Sequence, residues 1–215
     1  MPEEINRVII DRIATVLFCP NFRAVVNLLK EGIRANVHVV GDPSFDALNN
    51  FTPIARTKDY RKYILLTLHR NFNADNKESI ENILSAVSES KEKIIFPVHP
   101  RTARNIERFK IKIPKQIKII EPTSYPKSLS LISNAKKVVT DSGGIQREAF
   151  WMGVPVIILR EETEWEEIIE KGSGILVGSD KEKILDAIKN FNGKVVAPPI
   201  YGANEKIREI IYKHL

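Results

Sequence analysis

From Lys62 onward, short runs of β-branched and aliphatic residues alternate with amphipathic stretches, and this alternation constrains the fold more than any other feature. Residues 63–68, 94–98, 117–120, 137–140, 156–159 and 175–177 are nearly continuous in apolar character. That is the pattern of parallel strands buried on both faces. Between them, residues 77–89, 101–109, 125–133, 145–152, 164–171 and 180–190 have the period and length of crossover helices. Six such units predict a doubly wound parallel α/β domain over about residues 54–195.

The first 53 residues read differently. A helix (4–13), a strand (15–18), a helix (22–31), a strand (37–40) and a helix (44–51) are too little for a core of the usual size. They are expected to be the last βα units of another α/β domain. A final helix, 204–214, follows the Pro198-Pro199 break and is expected to pack back across the chain. Hydrophobic residues at 43% supply enough apolar side chain for a core, which excludes a disordered chain. The lone Cys19 excludes an internal disulfide and suits a reducing compartment. No apolar run approaches the ~20 residues of a membrane helix. The opening MPEEINRVII lacks the basic-then-apolar order of a signal peptide. The net charge of +6 comes from 33 basic and 27 acidic residues, intermixed as in ESKEK and REETEWEE. Without a basic stripe or zinc-finger spacing, no nucleic-acid partner is expected.

Ligands of open parallel sheets bind beyond the carboxyl ends of the strands, so the residue after each strand is informative. The first strand ends in His69 and Arg70, the second in His99 and Arg101, the fourth in Thr140, Asp141 and Ser142, the fifth in Arg160 and Glu161. A lone histidine at a strand end serves structure as readily as function; the convergence of these groups on one rim is what points to a site.

The sharpest element is TDSGGIQREAF, residues 140–150. A strand runs into Ser142-Gly143-Gly144, and a helix is expected to start near Ile145. Amides at a helix start lack intrahelical partners and carry partial positive charge. Glycines let an anion approach the backbone closely, so a phosphate or diphosphate is the natural ligand. Glu148, one turn further on, is placed to accept hydrogen bonds from a ribose diol. The alternative is a plain turn with Ser142 as helix N-cap and Glu148 solvated. Neither the dinucleotide fingerprint nor the P-loop pattern is present. Glu3 and Glu4, read alone, are ordinary first-turn acids favoured by the helix dipole. His38, Trp151 and Met152 read as core, and Cys19 as structural. The histidines lack metal-ligand spacing, so neither a metal nor a cofactor is expected.

The segments MPEEINRVIIDRIATVLFCP, LTLHRN, IIFPVHPRT, VVTDSGGIQREAF, GVPVIILREETE and YGANEKI occur in the order seen in UDP-N-acetylglucosamine 2-epimerases, and the chain resembles that family over essentially its whole length. The resemblance implies a GT-B-like architecture, in which residues 54–195 form a complete Rossmann-like UDP-binding domain. Residues 1–53 are then the tail of a second Rossmann-like domain, and residues 196–215 a crossover helix. It implies interconversion of UDP-GlcNAc and UDP-ManNAc in the cytoplasm, for cell-envelope or capsular polysaccharide, by elimination and re-addition of UDP. Glu3 and His69 fall on catalytic positions of the family, against the ordinary reading of Glu3. Arg70, His99, Ser142, Gly143, Gly144 and Glu148 fall on UDP-binding ones.

The family begins well upstream of Met1, and the resemblance assigns further proton-transfer acids to that part. The implied partners are a UDP-sugar, with no nucleic acid or membrane, and either a homodimer mate or a chain supplying the first domain. Asn71, Ser128, Trp165 and YGANEK depart from common family residues; Trp165 stands where many members carry a phosphate-contacting arginine. Two other readings stay open: a non-catalytic UDP-sugar module or half of a split enzyme, and a GT-B glycosyltransferase.

Overall fold

The structure, a computed structural model, describes residues 2–51, 63–195 and 202–214. The chain divides into two compact units, residues 1–53 with 199–215, and residues 54–198. The boundaries expected at 53/54 and 195/196 border segments outside the described residues.

In the larger unit, six parallel strands lie in the order β5-β4-β3-β6-β7-β8. They are β3 (Tyr63–Thr67), β4 (Ile94–Pro97), β5 (Ile117–Ile120), β6 (Ala135–Thr140), β7 (Val156–Ile158) and β8 (Gly174–Leu176). All five residues of β3 are buried, as expected for a central strand covered on both faces. Alternation assigns the layers. Ile64, Leu66, Val139 and Ile157 join a core with Ile80, Ile83, Leu84 and Val87 of α5 (Lys77–Glu89) and Ile184 and Ile188 of α10 (Lys181–Asn190). α7 (Tyr125–Ser133), α8 (Gly143–Trp151) and α9 (Glu166–Glu170) pack along β6, β7 and β8.

Local chemistry starts these helices. The Asn76 side chain accepts from Ser79 N, and Asp180 from Lys183 N. His99 caps α6 (Pro100–Arg108), with Pro100 in the first turn, where its missing N–H costs nothing. A short helix, α4 (Asn71–Ala74), follows β3 with no period in the sequence to announce it. α9 is also shorter than the expected 164–171, because Thr163 Oγ1 accepts from Trp165 N and holds that segment in a turn.

Because the chain leaves β3 for β4 on one side and enters β7 from β6 on the other, the two central strands form a switch point. The carboxyl ends at such a switch point are where sheets of this kind bind ligands.

The smaller unit comprises α1 (Pro2–Ile13), β1 (Leu17–Cys19), α2 (Phe22–Lys30), β2 (Val37–Val39), α3 (Pro43–Phe51) and α11 (Ala203–His214). β1 and β2 pair in parallel. The buried Asp46 of α3 accepts from Gly202 N at 3.0 Å and Asn204 N at 2.8 Å, so α11 docks on α3 through the amides at and just before its start. His38 corrects the core reading. It is half-buried on β2, its ring 6.3 Å from that of His214. Trp151 and Met152 are buried as read, and Cys19 is a buried free thiol.

Phe96 is fully buried in the core of the larger unit. Phe96→Ala is expected to destabilise that unit by about 3–5 kcal/mol. Urea unfolding checks this, the midpoint falling while the slope is unchanged.

Candidate functional site

At the end of β6 the chain places a fully buried carboxylate, Asp141. A charge out of water is tolerated only when donors surround it, and the end of β3 supplies them. His69 N reaches both Asp141 oxygens at 3.1 Å, Arg70 N donates at 3.0 Å and Asn73 Nδ2 at 3.4 Å. His69 Nδ1 lies 3.2 Å from Oδ1. Asp141 thus holds the His69 ring with Nδ1–H toward the carboxylate, leaving Nε2 as the nitrogen for other contacts. Asn73 also donates to Leu159 O at 2.9 Å, tying α4 to the end of β7.

One residue earlier, the Thr140 hydroxyl pairs with that of Thr67 at 2.5 Å and accepts from Ser142 N at 2.9 Å. This aims the chain out of β6 into the turn. The Ser142 side chain accepts from Ile145 N and caps α8. Gly143 and Gly144 then occupy the first two helical positions, where amides have no intrahelical acceptor. Neither glycine has positive φ, so the turn needs no left-handed residue here; what glycine supplies is closeness. Gly144 is exposed, and a β-carbon there would meet nothing within 4 Å.

Around this turn stand the remaining rim residues. The His99 ring lies 5.8 Å from the His69 ring, and His99 Nδ1 accepts from Arg101 N. Arg160, at the end of β7, donates from Nε to Asp141 O at 2.7 Å and from Nη1 to Glu164 at 2.6 Å. Arg147 of α8 lies over the Trp165 ring at 4.3 Å, a cation–π contact that packs the loop after β7 against α8. Glu148 is half-buried rather than solvated. Burial pushes its carboxyl up to about 7, opposed by the Arg147 charge and a hydrogen bond with Tyr125 of α7.

The structure brings His69, Arg70, His99, Ser142, Gly143 and Gly144 to the switch point, with Glu148 one turn along α8. Glu3 lies on α1 of the other unit, and its side chain is outside the described residues. Sequence reasoning placed Asp141 on the rim among potential ligand groups; the structure buries it beneath the rim as its organiser. Asn73 and Tyr125 gave no signal, because their roles depend on which strand ends and helices become neighbours. Among the described residues, no three His, Cys, Asp or Glu side chains gather as a metal site.

Asp141→Asn puts an amide donor against groups that themselves donate. We expect a loss of about 2–4 kcal/mol in stability, read by urea unfolding.

The family model described as UDP-N-acetylglucosamine 2-epimerase matches residues 1–212. A UDP-N-acetylglucosamine 2-epimerase homolog from Methanococcus maripaludis is 47% identical over 206 residues, covering 89% of this chain and 58% of that protein. The UDP-N-acetylglucosamine 2-epimerase of Methanocaldococcus jannaschii is 44% identical over 209 residues, covering 88% of this chain and 57% of its own length. The crystal structure of the Methanocaldococcus jannaschii UDP-GlcNAc 2-epimerase in complex with UDP-GlcNAc and UDP superposes with a TM-score of 0.87 at 40% identity. That match covers 99% of this chain and 65% of the other. The chain therefore spans less than two thirds of the relatives it matches. With a GT-B-like α/β fold and a family match over nearly every residue, the chain belongs to the UDP-N-acetylglucosamine 2-epimerase family.

Proposed function

We propose that this chain carries the UDP-binding part of a UDP-GlcNAc 2-epimerase. The observation that supports this most is the start of α8 at the switch point, where Gly143 and Gly144 begin the helix without intrahelical acceptors for their amides and Gly144 stands exposed. In this reading residues 54–195 hold UDP, residues 1–53 are the end of the first Rossmann-like domain, and residues 196–215 are its crossover helix.

The chemistry then divides by charge. The uridine diphosphate carries its negative charge to the positive end of α8, with Arg160, Arg70 and His99 nearby. Glu148 as a carboxylate accepts from the ribose hydroxyls. Epimerisation requires removal of the C2 proton and departure of UDP from C1, with the bonding pair leaving on the diphosphate oxygen. The unsaturated sugar is then protonated at C2 on the opposite face as UDP adds back. His69, steadied by Asp141, stabilises the charge developing on the leaving diphosphate. Glu3 serves as one proton-transfer acid or base, and the portion of the family that this chain does not span supplies the other. The reading places the protein in the cytoplasm, acting with a homodimer mate or a chain that provides that portion. No helix among the described residues is long and apolar enough to cross a membrane.

Calorimetry with UDP tests the loop. Wild type is expected to bind and Gly144→Trp to lose detectable binding; equal affinity overturns the assignment. Solvent-hydrogen exchange at C2 of UDP-GlcNAc is expected to be negligible for this chain alone and to appear when a relative's N-terminal segment is added in trans. Vigorous exchange by the chain alone removes the need for that segment.

Glu148 adds a pH signature. Its carboxyl, held up to about 7, is mostly protonated at pH 6 and ionised at pH 8. Ribose hydroxyls donate best to the charged form. Affinity for UDP-GlcNAc, a diester whose charge is constant over this range, should therefore rise about ten-fold from pH 6 to 8. Glu148→Gln should flatten that rise; a profile unchanged by the substitution assigns the titration to another group.

A further inference from the structure

The space against Gly143 already holds a negative group. Glu164 lies in the loop between β7 and α9, one helical turn's worth of chain beyond Arg160. Its Oε2 accepts from Arg160 Nη1 at 2.6 Å. Its Oε1 lies so near the Gly143 backbone that a β-carbon there would collide with it. A carboxylate beside the first turn of α8 is favoured by the helix dipole, as a phosphate would be.

That carboxylate fills the space incompletely. Arg160 Nη2 and Trp165 Nε1 are buried and have no acceptor among the described residues. Trp165 Nε1 is 3.4 Å from where a Gly143 β-carbon would stand, so this orphaned donor and the Glu164 carboxylate border the same few ångströms of backbone. Buried donors without acceptors cost free energy until an acceptor arrives. A carboxylate offers two oxygens in one plane, and here serves a single arginine nitrogen. A diphosphate offers oxygens on two tetrahedra, enough for both arginine nitrogens, the indole N–H and the glycine amides together. Glu164 is also free to leave, since its side chain is 48% exposed and water receives it on rotation.

We propose that Glu164 is an internal occupant of the diphosphate seat. Its carboxylate holds Arg160 and the start of α8 in the unliganded protein and is expelled when a nucleoside diphosphate binds. The inference rests on the reading of residues 142–144 as the diphosphate loop. A seat occupied from within lowers the apparent affinity of any ligand by the fraction of time it stands open. Glu164 thus sets how tightly UDP is retained, without touching it.

Binding of UDP and of inorganic pyrophosphate to wild type, Glu164→Gln and Glu164→Ala tests this by calorimetry. Glutamine retains a hydrogen-bond acceptor for Arg160 and removes the charge; alanine removes both. Both variants should bind both probes about ten-fold more tightly than wild type, and alanine should lower the urea midpoint more than glutamine, because it leaves Arg160 Nη1 without that acceptor. A residue that merely braced Arg160 would move affinity the other way. If wild type binds UDP and Gly144→Trp does not, yet neither Glu164 variant gains affinity, the internal-occupant inference fails and the loop assignment stands. A gain for UDP with none for pyrophosphate places the effect outside the diphosphate seat and overturns it as well. If no form binds UDP, the loop assignment fails and this inference with it.

Discussion

One buried carboxylate organises the carboxyl edge of the larger unit's sheet. Asp141 belongs to β6, but its hydrogen bonds run to the amides and ring that follow β3 and to Asn73 of α4. Its own carbonyl accepts from Arg160 at the end of β7. Three strand ends and a short helix are thereby registered around one side chain. A charge enclosed without water demands donors in fixed directions, and this demand fixes the turn after β3. The rim above inherits its geometry from that constraint. His69 points where Asp141 lets it, and the Ser142-Gly143-Gly144 turn starts from the adjacent peptide.

The rim sorts donors from acceptors with a purpose that follows from electrostatics. The start of α8, two histidines and Arg160 gather at the strand ends. The acids sit at the margins. Glu148 is kept near neutrality by burial, and Glu164 is paired with Arg160. Buried N–H groups left without acceptors are uncommon in a packed protein. Arg160 Nη2 and Trp165 Nε1 are two such groups among the described residues, and the proposed diphosphate would supply their acceptors.

Much of the fold was legible because its signals are local. A strand covered on both faces must be apolar at nearly every position, so YILLT and VVT announced themselves. Crossover helices announced themselves by period. The turn at residues 142–144 was legible for the same reason: a serine and a glycine pair between a strand and a helix mark a helix start. The exceptions share a cause. α4 is too short to show a period, and α9 is cut short by a side-chain bond within the preceding turn. His38 lies in an apolar run, yet it is half-buried beside His214, a neighbour 176 positions away that the run does not name.

The amino-acid sequence by itself determined most of the succession of strands and helices, the residues that follow each strand, and the helix start at Ser142-Gly143-Gly144. These depend on side-chain period, capping and backbone freedom within a few residues. Tertiary structure alone decided that β3 and β6 are neighbours, that Asp141 is a buried tie rather than a ligand, and that Glu148 titrates near neutrality. It also decided that Glu164 rests against Gly143, 21 positions away along the chain. Each of these is a matter of what surrounds a charge in space, and the cost of desolvating a charge is set by neighbours that chain order does not name.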